Sequence, residues 1–162
     1  SVSVSPVIMG RDLKSLLEQR IIVFYTGITR SASAILANQS SETASDATKQ
    51  AALKRMVELA YVLRDELGRG NADSFGHILD ENWALKKSLT AGISSGEIDD
   101  WYSRAMGAGA LGGKLLGAGQ GGFMMFYAPC ERHEDIANAI GLRQVRFGFE
   151  PLGSRILFYN PR

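Results

Sequence analysis

The chain has 162 residues, which is enough for one ordinary domain with a hydrophobic core. A formal net charge of +1 gives no electrostatic reason to expect nucleic acid or an anionic membrane as a partner. No apolar run approaches the roughly 20 residues that span a bilayer, and the N-terminus lacks the basic start and apolar centre of a secretion signal.

The N-terminal part of the chain predicts a helix followed by a buried strand. Residues 1–10 alternate only weakly and predict an entry strand or arm. Residues 12–19 carry leucines at helical spacing, which predicts a short helix. Residues 21–25, IIVFY, form a continuous run of β-branched and aromatic side chains that predicts a central strand. Residues 31–45 are rich in serine and predict a short capped helix and then a loop.

Three helices are predicted in the middle of the chain. Residues 46–67 place apolar side chains at spacings of three and four, and residues 72–89 carry a second apolar stripe. Lys86 and Lys87 fall in the last turn of that second helix, where cations suit the helix dipole. A third helix follows the serine pair at 94–95, either of which can cap it.

A glycine-rich stretch then separates two short apolar runs. Residues 107–123, GAGALGGKLLGAGQGGF, hold 8 of the 18 glycines in the chain. Successive bare N–H groups in such a loop can form a concavity that binds an anion such as phosphate. A tight β-hairpin that merely needs positive φ angles explains the same composition, so both interpretations stay open at this point. The flanking strands are predicted at residues 114–116 and 123–128.

The C-terminal part predicts one helix and two strands. Residues 131–140 form the helix, residues 145–149 alternate as a half-buried strand, and residues 156–159 form a closing strand. The order of elements matches a ferredoxin-like split β-α-β-β-α-β core with extra helices in the first crossover. We therefore predict an α+β fold with a mainly antiparallel sheet, helices on one face, and a single domain over residues 1–162.

Cysteine and histidine are scarce. The single cysteine, Cys130, excludes a disulfide framework and predicts a reducing compartment, for which we expect the cytoplasm. Cys130, His77 and His133 are too few and too scattered for a zinc site, so no metal site is predicted in this chain.

Two stretches together resemble the GHMP kinases, the superfamily of galactokinase, homoserine kinase, mevalonate kinase and phosphomevalonate kinase. GALGGKLLGAGQGGF is similar to their third signature motif, and FYTGITRSASAIL is similar to the strand and turn that open the C-terminal domain of the sugar-kinase branch. Within that branch the resemblance is nearest to the D-glycero-D-manno-heptose 7-phosphate kinases, with the fucokinases next. The likeness extends through HILDENWALKKSL to FGFEPLGSRILFYN and so covers most of the chain.

The resemblance implies a kinase that transfers the γ-phosphate of ATP, with Mg²⁺, to the anomeric hydroxyl of a sugar phosphate. It also implies that this chain is the C-terminal half of such an enzyme. The N-terminal domain of the family supplies the main phosphate loop, the general-base aspartate and much of the adenine pocket, and no such loop occurs here. We therefore expect no catalytic residue in this chain, no turnover from the chain alone, an N-terminal domain acting in cis or in trans, and association of the chain as a homodimer.

The resemblance also carries expectations for individual residues. The loop is expected to place backbone N–H groups near the transferring phosphoryl group, at Gly117, Ala118, Gly119, Gly121 and Gly122. Contacts to the sugar phosphate are expected from chain position: Arg30 follows a strand end, where ligand contacts are common, although a plain surface arginine is the alternative. Thr26 and Gly27 are expected to line the same pocket, and Lys114, which enters the glycine loop, is expected to reach an anion. Gln120 departs from the family, which usually shows a small residue there, and this bulky amide either narrows the approach of a phosphate or points to solvent.

Other functions stay open beside this one. A fucokinase-type enzyme or another GHMP small-molecule kinase would carry the same motifs. A ferredoxin-like domain can also serve as a non-catalytic regulatory or dimerisation module, in which the glycine loop is only a hairpin.

Overall fold

The computed structural model describes residues 6–29, 46–117, 119, 121–150 and 158. The helices are α1 (Arg11–Arg20), α2 (Ala47–Gly68), α3 (Ser74–Leu89), α4 (Gly96–Gly107) and α5 (His133–Ile140), with a 3₁₀ turn at Cys130–Arg132. The strands are β1 (Ile21–Tyr25), β2 (Gly112–Leu115), β3 (Phe123–Tyr127) and β4 (Arg143–Val145).

The four strands form one antiparallel sheet in the order β2-β3-β1-β4. Strand β1 pairs with β3 over its full length and with β4 at its C-terminal end, so β1 is an interior strand as its apolar sequence predicts. Strands β2 and β3 form a hairpin. Its connection, residues 116–122 of the glycine-rich stretch, is called the glycine loop below. This strand order is that of a ferredoxin-like sheet, and it confirms the predicted α+β fold class.

Side chains that alternate along the strands form a buried apolar cluster on each face of the sheet. The larger cluster lies between the sheet and α3, α4 and α5, and its most buried members include Phe24, Trp83, Ile98, Leu115, Phe126 and Ile136. The smaller cluster joins the other face to α1 and the end of α2, through Leu13, Leu17, Ile21, Val23, Leu67, Ala72 and Tyr127. Each face of the sheet therefore has its own covering helices. The prediction that the helices lie on one face is wrong, because alternating apolar side chains along β1 and β3 leave surface to bury on both faces.

Helix α3 runs beside the edge strand β2 and in the same direction. At the start of both elements, Gly76 lies against Gly112, and at their ends Lys86 reaches Gly117. From Gly76 to Lys86 the helix rises about 1.5 Å per residue over ten residues. From Gly112 to Gly117 the chain advances about 3.3 Å per residue over five residues. The two lengths are nearly equal, so the helix and the strand stay side by side. The helix therefore covers the exposed edge of the sheet along the whole of β2.

The five predicted helices that fall on described residues are confirmed, with ends that the local sequence explains. Asp46 caps α2 by accepting hydrogen bonds from the amides of Thr48 and Lys49 at 2.8 and 3.2 Å. Ser95 caps α4 through the amide of Ile98. Along α2, Leu59 is the most buried side chain at 2% exposure. The apolar stripe predicted from the sequence, formed by Leu53, Met56, Ala60, Leu63 and Leu67, does not include it.

The strand predicted at residues 145–149 is wrong for most of its length. Only its first residue, Val145, belongs to β4, where it pairs with Val23. The chain then leaves the sheet and lies on α1, because the amide of Phe149 donates to the Glu18 carboxylate at 3.1 Å and Lys14 lies over the Phe149 ring. The predicted closing strand at 156–159 and the helix and loop at 31–45 lie outside the described residues, apart from residue 158.

Within the described ranges, none of the helices combines the length and the apolar character that a membrane crossing requires.

The contact between α3 and β2 makes Gly112 a sensitive position. A Cβ atom there would lie 1.9 Å from the carbonyl oxygen of Gly76. We expect Gly112→Ala to lower the free energy of unfolding by about 3 kcal/mol, because a clash with backbone is relieved only by moving the helix. The measurement is urea unfolding followed by circular dichroism.

The matched control is Gly68→Ala, at the exposed end of α2, where an added Cβ meets nothing within 4 Å. There we expect a change within about 1 kcal/mol and in the stabilising direction, because alanine favours the helix. Equal effects of the two substitutions would contradict the packing argument.

Candidate functional site

The glycine loop connects β2 to β3 at one end of the sheet. The ladder closes with the Leu116 amide donating to the Phe123 carbonyl oxygen at 2.8 Å, and the loop lies beyond this bond. Described glycines of the loop adopt positive φ angles, and the largest departures are Gly119 at 127° and Gly121 at 154°. Such angles suit glycine alone, so the local sequence matches the hairpin that it forms.

A set of hydrogen bonds ties the loop to the segment that follows β1. The amide and the hydroxyl of Thr26 both donate to the carbonyl oxygen of Gly122, at 2.9 and 3.0 Å. In return, the amide of Gly122 donates to the carbonyl oxygen of Ile28 at 2.9 Å, and the Ile28 amide donates to the Thr26 hydroxyl at 3.2 Å. The fold thus brings the predicted substrate residue Thr26 into direct contact with the predicted phosphate loop.

Two glycines of the loop are needed for packing. A Cβ at Gly121 would lie 2.4 Å from the carbonyl oxygen of Ile28, and one at Gly119 would lie 2.9 Å from that of Ile93. The loop is therefore held between two other backbone segments. Gly117, by contrast, is exposed, and none of the described residues beyond its chain neighbours comes within 4 Å of the position that a Cβ would take.

The backbone amides of the loop fall into two groups. The Gly122 amide is engaged with Ile28, as described above. The amides of Gly117, Gly119 and Gly121 have no acceptor within the described part of the chain. Amides without a protein acceptor in a glycine-rich loop can donate to a ligand, and an anion is the ligand that suits them.

Two half-buried lysines lie beside this loop. Lys114 on β2 donates to the side-chain oxygen of Asn82 at 3.2 Å. Lys86, in the last turn of α3, donates to the carbonyl oxygen of Gly117 at 2.5 Å. Burial lowers the pKa of both ammonium groups, and the charge of Lys114 lowers the pKa of Lys86 further.

The surroundings of Lys114 explain its partial burial. An apolar cleft of about 160 Å³ lies between α2 and α3, lined by Met56, Leu59, Leu63 and Leu79. Asn82 and Lys114 line the same cleft. A lysine stem packs readily against such side chains while its ammonium group reaches a polar partner.

Sequence reasoning missed Lys86 as a site residue and assigned it to the helix dipole. A signal was present, because Lys86 follows Asn82 by four residues and therefore lies on the same face of α3. What the sequence did not reveal is that this face runs along β2 to the glycine loop.

The remaining predicted residues are only partly described. Gly27 is exposed next to Thr26, with a φ of 73°. Arg30, Ala118 and Gln120 lie outside the described residues. Over the described ranges, no group of three or more histidine, cysteine, aspartate or glutamate side chains is placed to hold a metal ion.

The Thr26 hydroxyl gives a direct test of the contact between the loop and the segment after β1. We expect Thr26→Val to lower the free energy of unfolding by about 1 kcal/mol, because the Ile28 amide loses its acceptor. Hydrogen exchange of the Ile28 amide should accelerate about fivefold, measured by nuclear magnetic resonance.

Ser103→Ala serves as the control, since this exposed hydroxyl donates only to the Asp99 carbonyl oxygen of its own helix, at 2.9 Å. Its effect should stay within about 0.5 kcal/mol. An unchanged Ile28 exchange rate in the Thr26 variant would contradict the role assigned to this hydroxyl.

Comparison with known proteins places this geometry in a family. The family described as "GHMP kinases C terminal" matches residues 63–145. The D-glycero-alpha-D-manno-heptose 7-phosphate kinase of Campylobacter jejuni is 31% identical over 150 residues, which cover 88% of this chain. The bifunctional fucokinase/GDP-fucose pyrophosphorylase of Arabidopsis thaliana is 32% identical over 144 residues, again covering 88% of this chain.

The chain spans 42% of the length of the Campylobacter protein and 13% of that of the Arabidopsis protein. Among solved structures, Leishmania major mevalonate kinase in complex with R-mevalonate superposes with a TM-score of 0.65 at 21% identity, over 75% of this chain and 37% of the kinase. That likeness concerns the fold alone. The matched family and the ferredoxin-like sheet agree with the resemblance of the two motifs, and the chain belongs to the GHMP kinase C-terminal domain family.

Proposed function

We propose that this chain forms the C-terminal half of an ATP-dependent sugar kinase, which phosphorylates the anomeric hydroxyl of a sugar phosphate. The acceptor that we favour is D-glycero-D-manno-heptose 7-phosphate, because a relative with 31% identity over most of the chain carries that name. The product would be a 1,7-bisphosphate that serves the synthesis of a nucleotide-activated heptose.

The observation that carries the proposal is the electropositive glycine loop. Three loop amides without an acceptor in the described ranges, at Gly117, Gly119 and Gly121, accompany two ammonium groups at Lys86 and Lys114. Phosphoryl transfer spreads negative charge over the oxygens of the moving group, and preorganised donors stabilise that charge. A loop held in place by its hydrogen bonds to Thr26 provides such donors without reorganisation.

The residues of this chain bind and orient rather than transfer protons. The loop amides hold phosphate oxygens, and Thr26 fixes the loop through Gly122. From the sequence we expect Gly27 and Arg30 to contact the acceptor, since a guanidinium can bind a phosphate with two hydrogen bonds. We assign the general base and the main nucleotide loop to an N-terminal domain, which this chain meets in cis or in trans.

ATP and Mg²⁺ fit this site differently. The free amides suit the phosphates of ATP, whereas Mg²⁺ prefers carboxylate oxygens. The two acidic side chains of α3 accept hydrogen bonds from other groups, Asp80 from Tyr102 at 2.6 Å and Glu81 from Arg55 at 2.7 Å. We therefore place the magnesium ligands outside the described residues of this chain. When bound, the ion neutralises charge on the phosphates.

Two other functions are weighed against this proposal. A fucokinase-type acceptor is supported by the Arabidopsis relative and its 32% identity. A non-catalytic regulatory or dimerisation module is the alternative from another class, and it would use the loop only as a hairpin. The two half-buried lysines beside the loop favour the kinase, because a purely structural hairpin gains nothing from partly burying two ammonium groups next to it.

Gly117 is the position that best separates an active loop from a structural one, because an added Cβ there would lie more than 4 Å from the other described atoms outside its chain neighbours. In the full-length protein we expect Gly117→Ala to lower kcat/KM at least about tenfold, since the methyl group would occupy space that a phosphate needs. The measurement is ADP release with a panel of sugar phosphates and free sugars.

Gly70→Ala is the matched control, because Gly70 has a similar φ of 83° and equally open surroundings at the end of α2. Both variants should lose about 1 kcal/mol of stability from backbone strain, and only the Gly117 variant should lose activity. Turnover with none of the acceptors by the unmodified full-length protein would refute the kinase proposal.

The chain alone provides a further test of the division of labour between the two halves. We expect no turnover from the isolated 162-residue polypeptide, because the base and the main phosphate loop are assigned to the other domain. Measurable ADP release above a heat-inactivated sample would contradict that assignment.

A further inference from the structure

We propose that Lys86 and Lys114 form a subsite for a phosphate dianion beside the glycine loop. This inference rests on the function proposed above and names residues for a second anionic group. The group is either the phosphate that the acceptor sugar already carries or a phosphate of the nucleotide, and the experiments below distinguish these sources.

The two lysines come from different elements and make contacts one turn of α3 apart, because Lys114 donates to Asn82 and Asn82 precedes Lys86 by four residues. Lys86 extends from the last turn of α3 and Lys114 from the middle of β2. Each ammonium group has three donors, and each uses one of them, on the carbonyl oxygen of Gly117 and on the side-chain oxygen of Asn82 respectively. Within the described residues, two donors on each lysine remain for a ligand.

Among the residues that the structure describes, no carboxylate forms an ion pair with either lysine. On α3, Asp80 accepts from Tyr102 and Glu81 pairs with Arg55. On α4, Asp99 pairs instead with Lys87 at 3.0 Å. Two half-buried like charges without a counter-ion repel one another, and this repulsion contributes to the lowered pKa of Lys86.

A dianion resolves that electrostatic conflict better than a neutral ligand or a monoanion. Two ammonium groups present two positive charges and several donors, which match the charge and the oxygens of a phosphate monoester near neutral pH. The hydrogen bonds to Gly117 and Asn82 hold both side chains in place before the ligand arrives. The subsite is coupled to the loop, because Lys86 donates to the carbonyl oxygen of Gly117.

The competing explanation is that Lys86 only caps the carbonyl oxygen of Gly117. In that case its removal would loosen the loop but leave anion binding unchanged. The two explanations therefore predict different phosphate affinities for a chain that lacks the Lys86 ammonium group, and not only a different stability.

The test is a titration of the chain, labelled with ¹³C and ¹⁵N in lysine, with inorganic phosphate at constant ionic strength. We expect the side-chain signals of Lys86 and Lys114 to follow one saturating curve while that of Lys54, exposed on α2, stays constant. Bound phosphate should raise the pKa of both site lysines, since an anion favours the charged form.

Substitutions give the quantitative outcome. Lys86→Met should weaken phosphate binding about tenfold or more, Lys86→Arg should stay within about threefold, and Lys54→Met should match the parent chain. Site signals that move no more than that of Lys54 would overturn the proposal. So would unchanged phosphate affinity in a folded Lys86→Met chain. If Lys86→Met fails to fold, Lys114→Met with the same readout decides.

Kinetics of the full-length protein separate the two phosphate sources. If Lys86→Met raises the KM for the sugar phosphate but not the KM for ATP, the subsite binds the acceptor. If it raises the KM for ATP but not the KM for the sugar phosphate, the subsite binds the nucleotide. Unchanged values for both substrates would contradict the proposal. Phosphate binding by the chain does not require turnover. If the chain binds phosphate but the full-length protein has no kinase activity, only the proposed function is refuted, and the subsite stands.

Discussion

The site depends on the close contact between α3 and β2. Gly76 and Gly112 lack side chains where these elements meet, so the backbones approach to a distance that no Cβ would allow. From that point the helix and the strand advance together until Lys86 reaches the glycine loop. A shift of the helix by one residue would turn Lys86 by about 100° around the helix axis and remove it from the loop.

A second constraint fixes the loop from its other side. The bonds among Thr26, Ile28 and Gly122 join the hairpin to the end of the central strand β1. Gly119 and Gly121 then let the loop pack against the backbone of two neighbouring segments. The loop amides without an acceptor among the described residues are therefore held in place by contacts on both sides of the loop. Electrostatic stabilisation of a charged group requires donors that are positioned in advance.

The electrostatic potential of the site depends on which charged side chains form ion pairs or hydrogen bonds with other groups. Acidic side chains near the loop are satisfied by Tyr102, Arg55 and Lys87. Lys86 and Lys114 have polar but uncharged partners among the described residues. The result is a local positive potential in a chain whose net charge is only +1, so composition gave no hint of it.

Much of the fold could be predicted from residue patterns. The run at 21–25 identified the interior strand because both of its faces are buried, and the apolar stripes identified the long helices. The strand predicted at residues 145–149 was too long. The alternation of apolar and polar residues there, with Phe147 and Phe149 apolar, also suits a segment whose side chains pack on a helix. Leu59 was missed because a stripe indicates a helix face but not where the next helix crosses it.

The sequence by itself determined the family, the hairpin and the residues of its loop, because the glycine pattern imposes backbone angles that few other residues adopt. Only the tertiary structure decided which loop amides stay unpaired and which lysines accompany them. Those properties depend on contacts between segments far apart in the chain, such as Thr26 with Gly122 and Lys86 with Gly117. A local pattern carries no information on the partner that a distant segment supplies.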